Sequence, residues 1–262
     1  MLEEILGRCH PESAPIDDAS RTALETMVAR REAGEPLQYV LGAWAFRSLD
    51  LEVDARALIP RPETEQVVET ALGELHDAAG PVAVDLGTGT GAIALSLAVE
   101  LGTARPDLEV WATDADPGAL ELAERNRARV AVSAPEARLV RLARGWWFDA
   151  LPADRRGRLD LVVANPPYVS EDEWEMLDQE VRCEPYGALV SGPGRDGTPG
   201  FADVETIVHA AGDWLTGGGV LVVELSPPQA GAAFRLAQRC GYQSARIDQD
   251  LAGRNRMLVA RR

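Results

Sequence analysis

Three short segments hold residue types whose order implies chemistry. The first, Asp85-Leu86-Gly87-Thr88-Gly89-Thr90-Gly91, follows an apolar run and precedes a helical one. Glycines at this junction let the backbone turn tightly and approach a ligand without interference from a Cβ atom. The G-x-G-x-G spacing differs from the dinucleotide fingerprint G-x-G-x-x-G, and Asp85 closes the preceding strand. An acid there suits a cationic ligand better than a pyrophosphate. Asp85, Gly87, Thr88, Gly89, Thr90 and Gly91 are therefore candidate cofactor-binding residues. An ordinary glycine-rich turn fits the context less well. The next apolar run ends at Asp114, whose carboxylate is placed to accept both hydroxyls of a ribose, as acids in nicotinamide enzymes also do. Asp116 beside it reads as a helix cap with Pro117 in the first helical position.

The third segment, Asn165-Pro166-Pro167-Tyr168, ends the run Leu161–Ala164. Two consecutive prolines cannot donate to a sheet ladder, so the strand must stop and the carbonyls of Asn165 and Pro166 are free to face a cleft. The side-chain oxygen of Asn165 and the carbonyl of Pro166 offer two acceptors to one planar NH2 group. Tyr168 supplies a face for stacking. That set suits an amide or an aromatic amine.

Apolar runs at 82–86, 109–113, 159–164 and 220–225 alternate with helical patterns at 92–101, 117–129, 203–215 and 229–240. Strands interleaved with helices predict a parallel sheet of βαβ units, an α/β fold. Residues 244–248 and 257–260 read as two further strands, a closing hairpin. Ahead of this, residues 1–35 predict one or two short helices, with Leu24, Met27 and Val28 at helical spacing, and 44–59 a strand or hairpin. Pro62-Glu63-Thr64-Glu65 opens a helix running to about Leu75, with proline at its first position and acids at the positive end of the dipole. The chain thus divides into a short helical segment with a hairpin, 1–60, and a large domain, 61–262.

With 262 residues the chain is long enough for one large domain and a small appendage. Its 26 basic residues face 42 acidic ones, a net charge of −16, which disfavours a general nucleic-acid binder. All the basic residues are arginine, which excludes P-loop, Schiff-base and kinase chemistry that needs a lysine. Cys9, Cys183 and Cys240 form no C-x-x-C pair, and His10, His76 and His209 have no ligand spacing. No metal site is expected. The acidic start and the lack of a long apolar run predict a cytoplasmic protein without membrane association.

Taken together, Asp85–Gly91, Asp114 and Asn165–Tyr168 resemble the Rossmann-like class I fold of S-adenosylmethionine-dependent methyltransferases, with the N-P-P-Y signature of amino-group methylation. Gly34–Gly42 (GEPLQYVLG), Leu58–Glu65 (LIPRPETE) and Glu180–Pro185 (EVRCEP) resemble the HemK/PrmC family more closely, over Gly34 to the C-terminus. That family methylates the glutamine side chain of peptide chain release factors. The resemblance implies S-adenosylmethionine as cofactor and a protein partner presenting a glutamine. It gives Trp147 and Asn165 a place beside the cofactor, makes Asn165, Pro166 and Tyr168 the catalytic residues, and assigns Asn165, Pro166, Pro167 and Tyr168 to the acceptor. Arg61 and Glu63 are candidates for lining the glutamine pocket, although Pro62-Glu63 is also an ordinary helix start. Three departures stand out: a helical segment of 33 residues before Gly34, Trp146 where the family usually has an acid, and Ser226 where a glycine is expected.

An amide nitrogen is a poor nucleophile because its lone pair is delocalised. Acceptors that hold both N–H groups orient the nitrogen and favour the charge-bearing transition state, so no strong base is required. The competing readings are an adenine N6-methyltransferase of nucleic acid, a nicotinamide oxidoreductase, and an inactive S-adenosylmethionine-binding interaction protein.

Overall fold

A computed structural model describes residues 17–75 and 80–262. Cys9, His10 and His76, and the first part of the expected N-terminal helices, lie outside the described residues. The described chain begins with α1 (Asp18–Glu32), capped by Asp17, whose carboxylate accepts from Ser20 N at 2.7 Å. Leu24 and Met27 are only half-buried on it. Next come α2 (Leu37–Leu41) and the antiparallel hairpin β1 (Ala43–Phe46) and β2 (Leu49–Glu52). Arg47, at the hairpin turn with φ of +49°, is anchored to the next helices. Its Nε donates to Glu100 at 2.6 Å, its Nη2 to Glu69 at 2.8 Å, and its backbone N to Glu65 at 2.9 Å.

The remainder is the expected βαβ series. It comprises α3 (Pro62–Leu75), β3 (Val82–Leu86), α4 (Ala92–Gly102), β4 (Glu109–Asp114), α5 (Pro117–Val130), β5 (Val140–Arg144) and β6 (Leu159–Ala164). After two short helices, α6 (Glu171–Met176) and α7 (Tyr186–Leu189), follow α8 (Ala202–Trp214), β7 (Leu215–Glu224), α9 (Ala230–Arg239), β8 (Ser244–Gln249) and β9 (Asn255–Arg261). The strands form one seven-stranded sheet in the order β5-β4-β3-β6-β7-β9-β8. Strands β5 to β7 run parallel, and the closing pair is antiparallel, with β9 inserted between β7 and β8.

Successive strand residues point to opposite faces, and both faces are covered, so the central strands are apolar throughout. Leu161 and Val163 pack with Val67, Val68 and Leu97 on one side. Val162 and Ala164 pack with Val204, Ile207 and Leu236 on the other. The strand order reverses between β3 and β6: β4 lies beyond β3 and β7 beyond β6. In open α/β sheets this switch point leaves a crevice at the carboxyl ends of the strands, where ligands bind.

Among the described residues no helix is long and apolar enough to cross a membrane. No cluster of His, Cys, Asp and Glu among them could hold a metal ion.

Leu161 is fully buried at the centre of the sheet, in register with Ala83 and Val220. Leu161→Ala is expected to lower unfolding free energy by about 2–5 kcal/mol through lost burial and an unfilled cavity. Urea denaturation checks this; an unchanged midpoint would contradict the central position of this side chain.

Candidate active site

The crevice is a cavity of about 420 Å³, within the range of pockets that take small molecules. Four of its walls follow strands of the sheet. The loop after β3 contributes Gly87, Thr88, Gly89 and Thr90; the end of β4 contributes Asp114 and Asp116; the turn after β5 contributes Trp146 and Trp147; Asn165 and Pro167 follow β6. Leu58, Pro60, Arg61 and Thr64, between the hairpin and α3, close the remaining side with Pro185 and Ala188.

The glycine loop rests on β4: the backbone N–H groups of Gly87 and Thr88 both donate to Thr113 O at 2.9 Å. Gly87 has φ of +72°, and a Cβ there would sit 3.1 Å from the ring of Trp147, so the position needs glycine twice over. Trp147 itself is held at φ of +48°, an uncommon conformation for a bulky residue. Asn126, buried on α5, donates to Thr90 O at 2.9 Å and exchanges hydrogen bonds with the backbone of Glu52. It thereby joins the loop to the hairpin. Gly91 ends the loop as the residue before α4.

Asp85 lies beneath this loop. One oxygen accepts from Thr88 Oγ1 at 2.6 Å and from Ala94 N at 3.2 Å; the other is buried without a protein partner. Burial pushes its pKa up to about 7. The expectation that Asp85 faces the ligand directly is corrected in this respect: it does not form the cavity wall, because it is spent on shaping the loop. Asp114 does line the cavity. Its oxygens accept from Gly89 N at 2.9 Å and Asp116 N at 3.0 Å, which leaves lone pairs for a diol, and burial raises its pKa. Asp116 caps α5, accepting from Gly118 N and Ala119 N.

At the other end, Asn165 donates from Nδ2 to Thr64 Oγ1 at 3.1 Å, while its Oδ1 is buried with no protein partner. Pro167 lines the cavity, and Pro166 beside it is buried. Two sequence expectations are corrected. Tyr168 does not line the cavity as a stacking face; its hydroxyl donates to Glu224 Oε1 at 3.3 Å, and burial holds its phenol above the usual range. Glu63 does not line the pocket either: from the first turn of α3 it points to the surface and pairs with Arg254 at 3.0 Å. Arg61 does line the cavity and forms an ion pair with the buried Glu184, which also accepts from Ile59 N at 2.9 Å. Glu184 thus clamps the Pro60-Arg61-Pro62 segment.

Trp146, singled out in the sequence for standing where the family usually has an acid, is 58% exposed on the cavity wall, edge-on to Trp147 at 5.4 Å. Three other residues here escaped the sequence reading. Thr64 and Glu224 meet at 2.8 Å although far apart in sequence. Gln229 donates from Nε2 to the carbonyls of Tyr168, Pro199 and Gly200 and so fixes the backbone beyond the prolines. Ser226, noted for replacing a glycine, makes a capping box with Gln229.

A family model described as the methyltransferase small domain matches residues 69–192, and another described as the PrmC N-terminal domain matches 9–42. The release factor glutamine methyltransferase of Bordetella pertussis is 38% identical over 98% of this chain and 91% of its own length. That of Escherichia coli is 34% identical over 100% and 90%. The chain belongs to the release factor glutamine methyltransferase family. Solved structures share its fold. A methyltransferase from Pyrococcus furiosus has a TM-score of 0.56 at 19% identity, covering 92% of this chain and 98% of its own. The N-terminal domain of human METTL16 in complex with SAH has a TM-score of 0.53 at 16% identity, covering 93% and 82%. The class I methyltransferase fold expected from the resemblance is the fold observed.

The family resemblance implies S-adenosylmethionine as cofactor, and the residues present fit it. The loop backbone takes positive φ at Gly87, Gly89 and Gly91 and lines the cavity with Gly87–Thr90, Asp114 keeps lone pairs for ribose hydroxyls, and Trp146 presents an exposed ring for a planar base. The unpartnered buried oxygen of Asn165, a residue of the same cavity wall, marks hydrogen-bonding capacity that the protein alone does not satisfy.

Gly200, at φ of +62°, lies so close to Tyr168 that a Cβ would collide with the Tyr168 carbonyl oxygen. Gly200→Ala is expected to cost about 2–4 kcal/mol through strain and displaced backbone. A urea midpoint equal to that of the parent chain would show that the contact is easily relieved.

Proposed function

We propose that this chain transfers a methyl group from S-adenosylmethionine to the side-chain amide nitrogen of a glutamine in a peptide chain release factor. The observation that carries the reading is the unpartnered, buried Oδ1 of Asn165 beside the glycine loop in one cavity, in a chain of this family. In this reading Gly87, Thr88, Gly89, Thr90 and Asp114 hold the nucleoside, with Asp85 shaping the loop and Trp147 packed against it. When bound, S-adenosylmethionine supplies a methyl group on a positively charged sulfur.

The chain's own part is orientation. Asn165 Oδ1 accepts one N–H of the glutamine amide and the Pro166 carbonyl accepts the other, which turns the nitrogen toward the nucleoside end of the cavity. An acceptor pair also stabilises the transition state, in which the nitrogen lone pair leaves conjugation with the carbonyl and positive charge develops on nitrogen as its bond to the methyl carbon forms. Arg61 and Pro167 flank this end and exclude water. The net charge of −16 speaks against nucleic acid as the acceptor. The cytoplasmic location read from the sequence agrees with a release-factor substrate.

Asp114→Ala is expected to weaken S-adenosylhomocysteine binding by about 1–3 kcal/mol, through loss of charge-assisted hydrogen bonds. Calorimetry measures it, and undiminished affinity would remove Asp114 from the nucleoside site. Asn165→Ala should leave that affinity nearly intact while lowering turnover roughly 100- to 1000-fold. The assay is methyl transfer to a purified release factor and to its loop glutamine-to-alanine variant. Equal label on both substrates would place the methyl group elsewhere and sink the glutamine reading.

A further inference from the structure

The side-chain amide of an asparagine has two nearly isosteric ends, and only one can accept from the substrate. Which end faces the cavity is decided by what stands behind it. Thr64 Oγ1 lies 3.1 Å from Asn165 Nδ2 and 2.8 Å from Glu224 Oε2, and Tyr168 donates to Glu224 Oε1 at 3.3 Å. Thr64 and Glu224 are buried. An ionised carboxylate has no hydrogen to give, so both hydroxyls must donate to it. With its one hydrogen committed to Glu224, Thr64 can only accept from Asn165. The NH2 end of Asn165 is thereby drawn toward Thr64, and the oxygen is turned to the cavity.

We propose that Thr64 and Glu224 are positioning residues that set the orientation of the Asn165 amide, so that its oxygen, not its NH2 group, meets the acceptor amide. Neither residue touches the reacting atoms in this scheme; each acts through Asn165. The inference rests on the proposed role of Asn165 as acceptor of the substrate N–H.

The arrangement carries a pH dependence with a definite sign. Glu224 is fully buried, and burial pushes its pKa up to about 7. The groups that face it are Thr64 on α3, Tyr168 after the prolines, and Arg256 on β9, and the charge of Glu63, paired with Arg254 at the surface, also reaches it. The hydrogen bonds from Thr64 and Tyr168 and the positive charge of Arg256 favour the ionised form, while Glu63 opposes it. Above its pKa Glu224 only accepts, and Asn165 is locked. Below it the carboxyl gains a hydrogen that it can donate to Thr64; Thr64 then becomes free to donate to Asn165, which permits the inverted amide. Turnover should therefore fall as pH falls through about 7.

The chain contains three asparagines, Asn126, Asn165 and Asn255, so selective 15N-asparagine labelling yields three side-chain amide pairs. Asn165→Ala identifies the pair of interest by its disappearance. In the full chain without substrate, that pair should shift with a midpoint near pH 7, and the shift should vanish in Thr64→Val and in Glu224→Gln. In the transfer assay Thr64→Val should lose roughly 10- to 100-fold in kcat, the scale seen when outer supports of a site are removed. S-adenosylhomocysteine affinity should stay within about 2-fold of the parent, a free-energy change below the 1.4 kcal/mol that a factor of ten represents. Thr64→Ser, which keeps the hydroxyl, should recover most of the rate.

An Asn165 signal that ignores pH, or that titrates equally in Glu224→Gln, overturns the proposal. So does full kcat in Thr64→Val, or a parallel loss of cofactor affinity. Should Thr64→Val fail to fold, the Glu224→Gln spectrum alone decides between these outcomes. A parent chain that labels no release factor would reject the proposed function instead, and the resonance test would still stand.

Discussion

The lateral pairing of β3 with β6 is the constraint on which the site depends. Leu86 is in register with Ala164, so the glycine loop and Asn165 leave the sheet as neighbours at the same edge. The connections beyond them must diverge, because β4 lies to one side and β7 to the other. Nothing in either loop has to search for its counterpart. The two apolar layers, built from alternate residues of the same strands, hold that register against slippage, since a shift of one residue would turn every buried side chain to the wrong face.

Two buried carboxylates flank the crevice, and both are held up to about pH 7 by burial. Ionising such groups away from water is unfavourable unless hydrogen bonds compensate. Asp85 has one partnered oxygen and one without a protein partner; Glu224 has a hydroxyl on each. The same separation appears in their uses. Asp85 holds the backbone of the glycine loop through Thr88 and Ala94, and Glu224 holds the hydroxyl of Thr64 that accepts from Asn165.

Much of this was legible in the sequence, for physical reasons that also explain the omissions. The central strands are runs of β-branched and apolar residues, and β3, β4 and β6 fall within a residue of the runs read for them; β7 begins at Leu215, five residues before the run at 220–225, because Gly217-Gly218-Gly219 hides its first half. Strand β5 (Val140–Arg144, VRLAR) went unread: it is an edge strand with two arginines and too short to show a pattern. The loop Asp85–Gly91 and the segment Asn165–Tyr168 announced themselves because glycine and proline impose backbone geometry locally. Thr64 did not, since Pro62-Glu63-Thr64-Glu65 is fully explained as a helix start. Glu224 is an acid at the end of an apolar run, and its partners come from α3 and from the turn after β6. Long-range partners of that kind leave no local trace. Tyr168 and Glu63 were assigned to the pocket by position, but their side chains were committed elsewhere, to Glu224 and to Arg254.

The amide of Gln229 has two hydrogens and three carbonyls to satisfy, those of Tyr168, Pro199 and Gly200. It stands at the start of α9, whose inner face is packed into the apolar layer through Ala233, Leu236 and Ala237. Peeling back the segment after the prolines would break all three contacts together and strand a buried amide. That segment is therefore joined to a cooperative unit of the molecule and does not behave as a separately opening flap. Amide exchange there should report the opening of the domain as a whole.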